Sequence, residues 1–418
     1  MQPPAWRPVL DGEHAARARA TIEDIAEALR DPIDDASLAD GNAGRALFHG
    51  YLSEVWPGRG HDERARALLD AAIDQLAQVP MTASLFSGFG GVAWVVEHLQ
   101  RRLFGIADED AGAAIDDALV GLLDTSPWPT EFDLIRGLAG IGVYALERMP
   151  RPVAADCLAS VVDRLAEIAI ARPDGAAWLT PPGQLTPETR AAYPDGHFDL
   201  GVAHGGPAVA VVLAGACAAG IRRHRARALL DDAMRWMLVA RLPADAPSAL
   251  PVFFVDGREA QPARAAWCYG DPGAALAWYT AAVAVGEPSW ERAALAIAHR
   301  AVARPMDDCG VVDAGLCHGA AGLAVLFDRL GQMTGDAAFA DAARRWYEQT
   351  LAMRVVGAGT CGYRSYRRDL ASPTRPLAWI ADPSLLIGAT GIGLALLQGI
   401  SPTRPDWHRI LAASLPTL

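Results

Sequence analysis

The sequence predicts an all-α protein, an α/α toroid (barrel) of seven helix pairs with amphipathic outer and apolar inner helices, spanning residues 1–418 as one domain. Three observations predict it. A Gly-x-x-Gly pattern leading into an apolar run starts at Gly41, Gly88, Gly137, Gly205, Gly270, Gly319 and Gly388, with Ala208 replacing the second glycine of the fourth copy. An amphipathic stretch with arginine and acid on one side and Ala, Leu and Ile on the other precedes each copy, as in residues 62–78 (DERARALLDAAIDQLAQ). Strand signals are nearly absent, apart from residues 252–255.

In chain order, the amphipathic members are expected near residues 11–31, 61–79, 109–125, 152–171, 222–242, 289–304 and 335–354. The runs after the glycines, such as VAWVVEHL, IGVYALERM and AVAVVLAGACAAGI, are apolar nearly all round, which marks helices buried on both sides. That contrast favours a closed ring over an open solenoid. Glycines at i and i+3 share one helix face and permit close approach, which in most copies serves packing alone. Long polar or proline-rich loops are expected near residues 173–203, 243–266 and 355–384. The last holds Tyr363, Arg364, Tyr366, Arg367 and Arg368, which suits either a patch for an acidic peptide or a solvated loop.

Composition narrows the chemistry. All 37 basic residues are arginine, so Schiff-base lysine, lysine-held pyridoxal phosphate and the phosphate-loop lysine are excluded. A net charge of -12 argues against a nucleic-acid partner. The most apolar run, residues 207–221, is too short to span a membrane. Residues 1–10 are proline-rich and carry no charged-then-apolar leader, so a cytoplasmic protein is expected. In such a reducing compartment, six cysteines read as buried thiols or metal ligands rather than disulfides.

Alignment on the first glycine shows where chemistry departs from the repeat. The residue before it is Asp40, Ser87, Arg136, His204, Tyr269, His318 and Ile387; one place earlier, Cys268 and Cys317 occupy the same position in adjacent copies. In a closed ring, equivalent positions converge. Cys268, Cys317 and His318 then form a catalytic zinc set, two thiolates and an imidazole that leave one tetrahedral position open. Helix N-termini just beyond them favour the thiolate form. Cys157, Cys217, Cys309 and Cys361 read as ordinary small buried side chains. His204 lacks a preceding cysteine and fits a proton donor or acceptor beside the metal, or a capping histidine. Asp133 is the charged member at its repeat position, which suits an acid-base partner or a helix N-cap. Arg264, four residues before Cys268, fits an electrostatic clamp or a surface arginine, while Asp271 and Pro272 read as an N-cap and first-turn proline.

These residues resemble a known family. WCYG (267–270), GLCHG (315–319) and AHG (203–205), set in seven Gly-x-x-Gly helix pairs over nearly the whole chain, are similar to the lanthionine synthetase C family. The resemblance implies a zinc-dependent lanthipeptide cyclase that adds peptide cysteine thiols to dehydroalanine or dehydrobutyrine, closing thioether rings. It implies Cys268, Cys317 and His318 as ligands, and His204, Asp133, Arg264 and Tyr269 as neighbouring functional residues. Its partners would be a dehydrated precursor peptide of leader plus core, with a dehydratase and an exporter. Other readings remain: a LanC-like protein that binds zinc and a thiol such as glutathione without making rings, or a zinc prenyltransferase-like toroid. The latter is disfavoured by an aromatic content of 7%.

Overall fold

The computed structural model describes residues 6–105, 110, 112–369, 372, 374 and 376–417. Half of the proline-rich opening (residues 1–5), positions 109 and 111 at the start of the third amphipathic stretch, and residues 370, 371, 373 and 375 of the third long loop lie outside the described residues.

The amphipathic series forms α1 (Gly12–Ala28), α3 (His61–Leu76), α5 (Ala113–Leu123), α7 (Pro152–Ile168), α10 (Arg223–Val239), α12 (Pro288–Ala303) and α14 (Ala337–Ala352). The apolar series forms α2 (Asn42–Val55), α4 (Phe89–Leu99), α6 (Leu138–Arg148), α9 (Gly206–Ala218), α11 (Asp271–Val285), α13 (Ala320–Thr334) and α15 (Ala389–Ile400); a short α8 (Pro187–Ala192) lies in the first long loop. The burial pattern follows the sequence pattern. α7 buries Ala154, Cys157, Leu158, Val161, Val162 and Leu165, a single stripe at helical spacing, whereas every residue of α9 from Gly206 to Cys217 is buried.

The chain divides into two compact units, one of Met1–Met81, His98–Ala107 and Pro305–Pro405, the other of Thr82–Glu97, Asp108–Arg304 and Asp406–Leu418. In the first, α2 packs on α3, α13 on α14 and α1 on α15. In the second, α6 packs on α7, α9 on α10 and α11 on α12. Five apolar helices, α2, α6, α9, α11 and α13, thus pair with the amphipathic helix after them rather than the one before, and α15 packs on α1. The reason is chain length: residues 335–336 join α13 to α14 and 286–287 join α11 to α12, so these neighbours fold back as hairpins. The longer return connections carry the pre-helix turns.

Those turns are bonded from copy to copy. Within the second unit Phe86 N donates to Ile135 O (3.5 Å), Leu134 N to Ala203 O (3.2 Å) and Ala203 N to Cys268 O (3.4 Å). Within the first, Cys317 N donates to Leu386 O (2.6 Å) and Leu385 N to Ala39 O (2.7 Å), so the seventh copy is bonded to the first. The repeat glycines serve the same turns. A Cβ on Gly270 would lie 1.9 Å from the Arg264 carbonyl oxygen, and one on Gly391 1.9 Å from that of Leu385. The glycines therefore admit the chain's own preceding turn.

Strand content is where the sequence reading falls short. Beyond β5 (Phe253–Phe254), which the 252–255 signal covers, there are β1 (Ile170–Arg172), β2 (Gly175–Ala177), β3 (Leu179–Thr180), β4 (His197–Asp199), β6 (Ser365–Arg368) and β7 (Leu377–Ile380). They form antiparallel sheets ordered β1-β2, β3-β4-β5 and β6-β7. Strands of two to four residues are too short to show a period. β1 also begins inside the stretch expected as the end of the fourth amphipathic helix; that helix stops at Ile168.

Candidate functional site

In the second unit, the turn before α9 presents His204 and the turn before α6 presents Asp133. His204 Nδ1 and Asp133 Oδ2 are 2.5 Å apart, and Asp133 Oδ1 accepts the Arg136 amide at 2.7 Å. Asp133 is therefore both a turn cap and the partner of an imidazole. Burial opposes a charge on His204, but the hydrogen bond to Asp133 and the negative charges of Asp133 and Asp199 outweigh it and raise its pKa. The bond at Nδ1 leaves Nε2 as the nitrogen available for proton transfer.

Tyr269, in the turn before α11, donates its hydroxyl to Asp199 Oδ2 at 2.9 Å. Burial, then the Asp199 charge, pushes the phenol's pKa far up, so it stays protonated. Asp199 is itself buried on β4, and its Oδ1 accepts the Gly201 amide at 2.8 Å. His204 and Tyr269 stand 6.3 Å apart between ring centroids. Together with Asp133, Asp199, His197 and Phe253 they line a pocket of about 230 Å³. Cys268, beside Tyr269, is buried, and its carbonyl holds the turn that carries His204. Arg264 is exposed, with no ion pair among the described residues, and its carbonyl lies under Gly270.

The first unit supplies Cys317 and His318 in the turn before α13, both partly buried. Asp313, 2% exposed, stands 3.9 Å from His318 Nε2. Its Oδ1 accepts the Gly315 amide at 3.1 Å, and its Oδ2 the Tyr366 amide at 3.0 Å. A fixed carboxylate beside an imidazole is the usual companion of a metal-ligating histidine. None of the six cysteines is in a disulfide. Burial pushes the Cys157 thiol up to about 12, and the thiols of Cys309 and Cys361 point at the carbonyls of Pro305 and Asp24.

Sequence reasoning missed Asp199, Asp313 and His197. The first two share a repeat position, six residues before the first glycine, with Asp35 and Asp382; the same alignment that singled out the cysteines could have found them. Each also caps its own turn, which is the reason the position reads as structural.

A helical repeat chain whose pre-helix turns carry Cys, Cys-His and a His-Asp pair defines a class. The chain matches the lanthionine synthetase C-like protein family over residues 32–412 and belongs to it. Its relatives include nisin biosynthesis protein NisC of Lactococcus lactis subsp. lactis, 25% identical over 273 residues, a match spanning 60% of this chain and 63% of that protein. The solved structure of nisin cyclase superposes with a TM-score of 0.72 at 18% identity, covering 95% of this chain and 97% of that one. The fold is accordingly the α/α toroid.

Proposed function

We propose that this protein is a zinc-dependent lanthipeptide cyclase, acting on a dehydrated precursor peptide, with Cys268, Cys317 and His318 as zinc ligands. Membership of the lanthionine synthetase C-like family carries the reading. The donor chemistry fits the metal: two soft sulfurs with an imidazole suit zinc and leave a position for substrate. Bound zinc would hold a substrate cysteine as its thiolate, whereas a free thiol with a pKa near about 8.5 is mostly protonated at neutral pH.

The chain's own residues manage the proton. Addition of the thiolate to the β-carbon of dehydroalanine moves the alkene's electron pair toward the carbonyl, and the α-carbon must then gain a proton. His204, whose pKa Asp133 raises, delivers it from Nε2. The proton the thiol gives up to solvent is the one that restores the imidazolium, so the step balances. Asp133 fixes the ring through Nδ1. Tyr269 has its own proton committed to Asp199 and acts as a wall and hydrogen-bond acceptor, while the enolate-stabilising role of Arg264 rests on the family resemblance alone.

The test is incubation of zinc-loaded protein with a dehydrated, cysteine-containing peptide, followed by thiol alkylation and mass spectrometry. Cyclisation removes alkylatable thiols without changing peptide mass. Peptide that remains fully alkylated with zinc present would instead support a protein that binds zinc and thiol without closing rings.

A further inference from the structure

A second pocket adjoins the one that holds His204, and both lie within the second unit. It measures about 220 Å³ and is walled by Trp128, Phe132, Ile168, Ile170, Trp178 and Leu179. No charged side chain lines it; Thr130 and Gln184 are its polar contributors. Phe132 and Gln184 line both pockets, and Phe132 immediately precedes Asp133, so the two wells share a wall next to the candidate acid-base pair.

The walls are preset. The Trp128 indole N–H donates to Glu131 O at 2.8 Å and that of Trp178 to Leu165 O at 3.0 Å, so the polar atom of each ring is already satisfied by backbone. Phe132 and Trp178 pack with ring centroids 6.2 Å apart, and both are buried. Ile170 of β1, 38% exposed, stands at the rim. A preformed apolar well beside a polar, titratable one is the arrangement that orients a ligand by one greasy group while chemistry happens next door.

We propose that this well is a specificity subsite for an aliphatic or aromatic side chain of the peptide substrate, close in sequence to the residue undergoing reaction. The assignment rests on the cyclase reading for the identity of the ligand as a peptide. In an extended peptide, side chains on the same side recur about every 7 Å, so the nearest same-side residue to enter an adjoining well is two positions from the reacting one. A carboxylate entering the well would lose its water without meeting a cation, and a hydroxyl would leave most of the apolar wall uncovered.

The experiment uses the full-length protein and synthetic dehydroalanine peptides with Phe, Ser or Asp two positions from the reacting residue, on either side. Binding is read by fluorescence anisotropy on versions in which the peptide's cysteine is replaced by serine, so that no ring can form; cyclisation is read separately on the parent peptides. On one side, the Phe peptide should bind about tenfold more tightly than the Ser or Asp peptide. Ile170→Arg, which puts charge at the rim, should bring that ratio near one, while Ile170→Val keeps it. Equal affinities, binding by none of the peptides, or a ratio unchanged in Ile170→Arg would overturn the proposal. A preference for Phe without cyclisation of any parent peptide leaves the subsite standing and removes the cyclase reading; cyclisation without preference does the reverse.

Discussion

The pairing of His204 with Asp133 raises the imidazole's pKa and leaves Nε2 outside the pair. The raised pKa of His204 has a consequence for rate: if the imidazolium is the proton donor, cyclisation falls as pH rises through that pKa. Asp133→Asn keeps the shape of the side chain but removes its charge, so the alkaline fall should begin at lower pH. His204→Gln should slow cyclisation by about 10²- to 10⁴-fold with zinc content intact. A pH-rate profile for each variant, alongside metal analysis, checks both outcomes. Asp133 was visible in the sequence as an outlying charge in its repeat position, yet its two functions, cap and imidazole partner, are separable only in the folded turn. Asp199 was hidden for the opposite reason. It shares its position with other turn-capping aspartates, and its contact with Tyr269 joins residues far apart in sequence.

Among the elements, helix identity was legible because burial stripes repeat over many residues. α7 and α9 show the two extremes that patterning distinguishes, one face against all faces. Pairing was less legible, since it depends on which connections are short. The glycines were recognised but their contact was not, because the carbonyl they admit belongs to a turn whose path no periodicity records. Gly391→Ala, whose Cβ would meet the Leu385 carbonyl, should cost about 1–3 kcal/mol by overpacking. Gly121→Ala, in α5 with open space around it, should instead gain about 0.5–1 kcal/mol. Denaturant unfolding of the two variants separates these signs. A buried carboxyl ties three helices of the first unit: Asp328 of α13 accepts hydrogen bonds from Tyr347 of α14 (3.1 Å) and Gln398 of α15 (2.8 Å). Burial raises its pKa from 3.8 to about 7. The folded state then holds a proton that the unfolded chain releases, so this residue's contribution to stability declines as pH rises from about 4 to about 7. Asp328→Asn should show its most favourable Tm relative to the parent near neutral pH, and the advantage should shrink toward pH 4.

For the molecule as a whole, the repeat count and the α/α toroid class follow from one short pattern read seven times, and the superposition on nisin cyclase covers nearly the full chain. The short strands of the long loops add what the helical repeat does not encode, including β4, which carries Asp199 to the pocket. No helix among the described residues is long and apolar enough to cross a membrane. With Cys268 and Cys317 proposed as zinc ligands, Cys268→Ala and Cys317→Ala should each lower zinc content and abolish cyclisation. The most direct measurement is X-ray absorption at the zinc edge of the loaded protein, before and after adding a cysteine-containing dehydrated peptide. The account predicts two sulfur neighbours at about 2.3 Å and nitrogen or oxygen at about 2.0–2.1 Å, with a third sulfur on peptide binding. A sulfur count that stays unchanged when the peptide binds, or a shell without sulfur, would contradict it.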